Sequence, residues 1–409
     1  MKRTIKVPVF IIAICLGIVT LPILIPDVDL PDNTAIELPE KSVEYDGETC
    51  RYIYDLSESG TESIEEAREL YKPRDLSHDS VERMQNHYRD ELSILSEATG
   101  YKPGLCLRDK TNGFDEDQVY LLGRIMIATA WDEFGSGMVE EAVDTVMATL
   151  KVSSILEASG TGLKSMDRGM WLKTEGLHVL DTMITEKNLP ADVLTGVQKE
   201  VGQYETGMVG FESSVIRSYN DKKNNPYGRL RNKGLAGLGS RRVFKPNRTI
   251  SEYYDIYSET ISHMDEPCGE MKLVKLHRIE PGKKTGIGKL ISLYFKGNYS
   301  GALSATAESN RMEYFLRRRC YNDFAVRGIG IKIAVMLYEK ENDKLPDTID
   351  ELVGKYMTTI PSDPFDGKPV RYSRKHKTIY TVGEDLVDDG GIPQEWEHLN
   401  VKVVTLIIN

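Results

Sequence analysis

The sequence predicts a mainly α protein: an N-terminal transmembrane helix, a helical-hairpin domain and a small C-terminal α+β module with antiparallel strands. Three observations carry this. Residues 7–26 (VPVFIIAICLGIVTLPILIP) form an uninterrupted apolar run about as long as a bilayer-spanning helix. Apolar residues then recur at helical spacing over most of the chain. Past Pro346 the period shortens, and Asp, Gly and Pro punctuate brief β-rich segments.

The apolar run places the protein. Lys2, Arg3 and Lys6 precede it, whereas residues 27–48 carry eight acidic side chains and one basic one, Lys41. This asymmetry puts the N-terminus in the cytoplasm and the bulk on the far side. The run ends Leu24-Ile25-Pro26-Asp27 without the small residues of a signal-peptidase site, which favours an uncleaved anchor over a cleaved signal peptide. The expected location is a bacterial inner membrane, crossed once, with the lipid bilayer as partner of residues 7–26. Residues 27–60 are acidic, contain Pro31 and Pro39 and lack periodicity, so they read as an extended linker.

The net charge of −11 argues against a nucleic-acid partner, because no domain-wide positive field exists to hold phosphates. The hydrophobic content of 40% is enough for a packed core. Four cysteines lie beyond the anchor: Cys50, Cys106, Cys268 and Cys320. An oxidising compartment permits two disulfides, and neighbouring partners, Cys50 with Cys106 and Cys268 with Cys320, are one of three connectivities. Four separate buried thiols are the other reading.

Residues 61–302 read as one helical domain. In 79–98, Val81, Met84, His87 or Tyr88, Leu92 and Leu95 recur at helical spacing. Asp115, with Gln118 three residues on, suits a capped helix start, and Val119, Leu122, Ile125 or Met126 and Thr129 continue it. Gly135-Ser136-Gly137 breaks that helix, and Val139, Ala142, Val143, Val146 and Leu150 line a second one. Such a pair makes an antiparallel hairpin. Gly137, Ala142 and Leu150 resemble the second helix of a tetratricopeptide repeat, but no copy follows at that period, so the unit is read as a generic hairpin. Further helices are expected over 163–187, 190–205, 207–219 and 251–265. Between them, 217–246 is basic and rich in Gly and Asn, and reads as a long loop. On an anchored protein this loop either meets anionic headgroups or balances an acidic body.

Residues 303–409 read as a long helix to Asn342 followed by the module. Asp347 is expected to cap a short helix with Ile349, Leu352 and Val353. Strands at Val370–Ser373 and Thr378–Val382 flank Arg374–Lys377, and 401–408 is a last, apolar strand.

One segment carries a family resemblance. Its residues are Tyr338, Lys344-Leu345-Pro346, Leu352, Tyr356, Ile360-Pro361, Asp363-Pro364-Phe365, Gly367, Tyr372, Tyr380, Val382-Gly383 and Asp388-Asp389-Gly390-Gly391. In this order they resemble the globular part of the major pseudopilins of type II secretion, a signature also found at the end of larger membrane-anchored bacterial proteins. The resemblance implies a helix packed on a small antiparallel sheet. It also implies a calcium ion in the loop after the last matched strand, with Asp385, Asp388 and Asp389 as candidate ligands. Asp363 and Asp366 instead suit a Pro-containing turn. The chain departs from the family where polymerisation is specified: residues 7–26 contain no acidic residue and follow no processing site. A pseudopilin-like module on a tethered helical protein is therefore expected, with an envelope or secretion protein as partner.

No catalytic constellation emerges. Gly234-Leu-Ala-Gly237-Leu-Gly239 lacks a dinucleotide fingerprint, and Gly282–Leu290 fails the phosphate-loop spacing. The seven histidines are scattered, and no Gly-x-Ser-x-Gly elbow occurs. The expected role is binding or scaffolding in the envelope. The alternative is an envelope hydrolase with a site assembled from dispersed residues. A deep pocket with two carboxylates, or a His beside a nucleophile, would mark the hydrolase. An open groove with ordinary surface charges would mark the scaffold.

Overall fold

The computed structural model describes residues 27, 70, 72–100, 116–159, 162–186, 189–205, 208–226, 244–269, 298–392 and 405–408. The apolar run 7–26, the rest of the linker, Cys50, Cys106, Asp115 and both Gly-rich segments lie outside them. Among the described residues, no helix is long and apolar enough to cross a membrane. The protein is mainly helical, with a small antiparallel sheet near the C-terminus. It divides into two units. The smaller comprises 1–38, 215–264 and 272–314; the larger comprises 39–214, 265–271 and 315–409. The domain boundary expected at 302/303 thus falls inside a helix, because continuous helical periodicity marks a helix without marking which core each part joins.

The larger unit begins with α1 (His78–His87) and α2 (Arg89–Ala98). Ser77 caps α1 by accepting from the Ser80 N–H at 3.3 Å. A single helix was expected here, but Tyr88 leaves helical geometry (φ −104°, ψ 25°). Tyr88, not His87, joins Val81, Met84 and Leu95 in the core. The hairpin follows as α3 (Glu116–Gly135) and α4 (Val139–Ala158). Gly137 sits between them at φ +83°, where a Cβ would be strained. Its inner faces carry Leu122, Ile125, Ala142, Val146 and Leu150, all fully buried. α5 (Leu163–Glu186) packs against both, burying Leu172, Leu177 and Leu180. α6 (Ala191–Val201) starts after Pro190, a residue suited to a helix entry.

α7 (Met208–Asn224) and α9 (Tyr299–Asn342) contribute residues to both units. The helix α7 corrects the expected loop at 217–246: residues 217–224 are helical, and Pro246 already opens α8 (Pro246–His263). Val215, Ile216 and Tyr219 are buried, and this apolar stripe outweighs the charged composition around it.

Within the larger unit, polar side chains of α9 meet α5. Arg318 pairs with Asp167 at 3.3 Å and lies 3.7 Å from the Trp171 ring centroid. Thr174 and Asn322 bond at 2.8 Å, and Lys332 donates to Asp181 at 2.6 Å and to Thr185. The pairs rise together along both chains, so the two segments run parallel.

In the C-terminal module Thr348, not Asp347, caps the turn Ile349–Leu352. Glu351 closes a capping box by accepting from the Thr348 N–H at 3.0 Å and the Asp347 N–H at 2.7 Å. β1 (Arg371–Ser373), β2 (Thr378–Tyr380) and β3 (Thr405–Ile407) form a sheet in that order, with both neighbouring pairs antiparallel. β2 is therefore central, and all three of its residues are buried.

The smaller unit packs the 215–224 part of α7, α8 and the 299–314 part of α9. Tyr219, Tyr253, Ile256 and Tyr257 form its core. Tyr257 donates to the fully buried Glu308 at 2.6 Å, and Lys222 neutralises that carboxylate at 2.9 Å. Asp27 caps α8, accepting from the Asn247 N–H at 2.8 Å and the Arg248 N–H at 3.2 Å.

Candidate functional site

The three expected calcium ligands lie on one acidic loop, Glu384 to Ile392. Asp385 accepts from the Val387 N–H at 3.2 Å and is exposed, as is Asp389. Asp388 is already engaged. One oxygen accepts from Tyr380 at 3.1 Å and the Gly390 N–H at 2.9 Å, and the other from Arg371 at 3.2 Å. The Gly390 N–H, Tyr380 and Arg371 together hold its carboxyl below the usual range. Gly391 (φ +75°) allows the loop to close against β2: a Cβ there would come within 2.6 Å of Thr378 Oγ1.

Arg371 organises the surrounding carboxylates. It donates to Asp363 at 3.0 Å, to Asp366 at 2.6 Å and to Asp388. Asp363 is wholly buried and also accepts from the Phe365 N–H, the Thr381 hydroxyl and the Val382 N–H at 2.9, 2.6 and 3.1 Å. Asp366 accepts from the Lys368 N–H at 3.0 Å, so both aspartates shape the turn as expected. The guanidinium thus supplies the positive charge that calcium would bring. Among the described residues, no group of three His, Cys, Asp or Glu is placed to hold a metal ion.

Cys268 and Cys320 are joined by a disulfide. The bond fastens the strap 265–269 to α9, where both cysteines adjoin Phe365 and Val382. The strap's backbone also pairs with the turn: the Cys268 and Gly269 N–H groups each donate at 2.9 Å, to the Pro364 and Phe365 carbonyls.

The larger unit also holds an open cleft of about 400 Å³ that sequence reasoning missed. Ala191, Thr195 and Gln198 of α6 form one wall, Leu337, Lys340 and Glu341 of α9 another, and Lys355 and Tyr356 a third. Gln198 pins the walls together by donating to the Gly330 carbonyl at 3.2 Å and the Tyr356 carbonyl at 3.0 Å. Glu341 accepts from both Lys355 and Tyr356. These bonds, Lys355 first, hold its carboxyl below the usual range, and Glu341 in turn raises the Lys355 ammonium. The lining residues hold one carboxylate, already compensated, beside amines, a phenol and an amide. This set can hydrogen-bond a ligand. Its members come from three distant segments without a shared motif, so no local pattern marks it.

Neither the family models, the curated proteins nor the solved structures contain a match to this chain.

Proposed function

We propose that this chain is a membrane-tethered extracytoplasmic protein that binds or scaffolds a partner in the cell envelope. The observation that carries the reading is the Cys268–Cys320 disulfide, a bond that oxidising compartments keep and reducing ones do not. It agrees with the charge asymmetry around residues 7–26, which points the bulk outward. The open cleft, with its mixed donors and acceptors, supports binding over hydrolysis. The link to secretion or surface assembly rests on the residue pattern of 328–391 alone.

Location and binding are tested together. The full chain is expressed with a photo-crosslinking residue at Leu337, and membranes are washed with alkaline carbonate. The chain should stay in the membrane, and protease added to spheroplasts should digest it from outside. Crosslinking should trap one envelope protein, and Glu341→Lys should abolish the product. A chain released by carbonate, or protected from external protease, would overturn the location. A crosslink indifferent to Glu341→Lys would overturn the cleft.

A further inference from the structure

A second surface, separate from the cleft, presents apolar side chains on the acidic loop. Leu386, Val387 and Ile392 are 41, 52 and 54% exposed, and they are three of the seven large hydrophobic residues exposed among the described ones. Single exposed apolar residues need no explanation, but a cluster within seven positions does. The loop is tied down by hydrogen bonds as well as apolar. Arg371 and Tyr380 hold Asp388, the Thr378 hydroxyl donates to the Gly391 carbonyl at 2.7 Å, and Tyr321 donates to Glu384 at 3.1 Å. Leu386 is kept at φ +59°, a conformation that glycine would adopt without cost, with its side chain over Gly269. A leucine here spends conformational energy to place apolar surface at the rim, and strain of this kind gathers at working sites.

Charge identifies the partner. Residues 384–392 carry Glu384, Asp385, Asp388 and Asp389 and no basic side chain. Glu384 is paired with Arg317 and Asp388 with Arg371, while exposed Asp385 and Asp389 flank Val387, and Ile392 follows three residues on. We propose that this loop is a preformed docking tip for a protein segment that sets apolar residues between lysines or arginines. Val387 and Ile392 enter the apolar part, and Asp385 and Asp389 meet the basic rim. The inference deepens the binding role above by naming the partner's chemistry.

The test uses the full chain in phosphatidylcholine nanodiscs, with empty discs as blank. The probe is the fluorescent peptide Lys-Lys-Leu-Phe-Lys-Lys, and its twin with Glu in place of Lys is the control. The lysine peptide should bind, more weakly as salt rises, and the glutamate peptide should not. Val387→Asp/Ile392→Asp should weaken binding about tenfold or more. That variant adds negative charge, so mere electrostatic attraction would tighten binding instead. Val353→Asp, at an exposed apolar site away from the loop, should change nothing. Equal or tighter binding by the loop variant, equal loss with Val353→Asp, or no binding of the lysine peptide would each overturn the proposal. Should the aspartate variant misfold, Val387→Ser/Ile392→Ser gives the same reading. A chain that fails to enter nanodiscs counts against the tether, and the peptide arms are then read in solution.

Discussion

Lys173 on α5 reaches Glu157 on α4 with its Nζ 2.5 Å from the carboxylate, and the two side chains are 0 and 3% exposed. The helices around the pair are crowded: a Cβ on Gly169 would come within 2.7 Å of Glu157 Cγ, and one on Gly210 within 2.5 Å of the Glu157 carbonyl. Burial pushes the Glu157 carboxyl up and Lys173 opposes it. Breaking such a pair leaves a bare charge in the core, while replacing both members removes the desolvation penalty with the attraction. Lys173→Met alone should therefore cost about 3–5 kcal/mol in urea unfolding, and Lys173→Met/Glu157→Leu should recover most of it. Equal losses in both variants would rule out an uncompensated charge as the cause.

Asp363 and Arg371 pair inside the module at 3.0 Å. Asp363→Ala removes the acceptor of four bonds in the core and should cost about 3–5 kcal/mol. Calcium should leave the melting temperature of the native chain unchanged, since Arg371 already sits among Asp363, Asp366 and Asp388. A rise on adding calcium, abolished by Asp388→Ala/Asp389→Ala, would instead support calcium in the loop.

The Cys268–Cys320 bond closes a loop of 52 residues. Chain-entropy arguments give such a crosslink about 4 kcal/mol. A reductant should lower the melting temperature, and Cys268→Ser/Cys320→Ser should match the reduced protein and ignore the reductant. Thiol titration of the denatured, unreduced chain should find neither cysteine.

Glu252 gives the smaller unit a pH dependence. Its Oε2 is buried without a hydrogen-bond partner, and burial raises its pKa to about 7, against the pull of Arg248 and with the help of Asp255. The folded state thus binds the proton more tightly than the unfolded one. This contribution is complete below pH ~4.5 and fades as pH rises through about 7, for a total of about 3 kcal/mol. Denaturation midpoints should fall between those limits, and Glu252→Gln should flatten the slope. An unchanged slope would assign the titration elsewhere.

Where the sequence was legible, local physics sufficed. Gly135-Ser136-Gly137 ended one helix, the stripe Ala142, Val143, Val146 and Leu150 fixed the buried face of the next, and Arg374–Lys377 announced the β1–β2 turn. The departures arise where a distant partner decides. Tyr88 breaks a periodic helix, and the helix through 217–224 is held by buried Val215, Ile216 and Tyr219 despite its charges. The spacing of Asp385, Asp388 and Asp389 is visible in sequence, whereas the Arg371 partner of Asp388, seventeen residues away, is not. The cleft depends on Gln198, Glu341 and Tyr356 meeting, which only packing reveals.

Asp27 also changes what the acidic segment is for. Its carboxylate is seated on the first turn of α8, and one peptide unit, about 3.8 Å, separates it from the end of the apolar run at Pro26. If that run crosses the bilayer, the body has no leash: the smaller unit rides directly on the anchor, and a twist or pull on either is felt by the other.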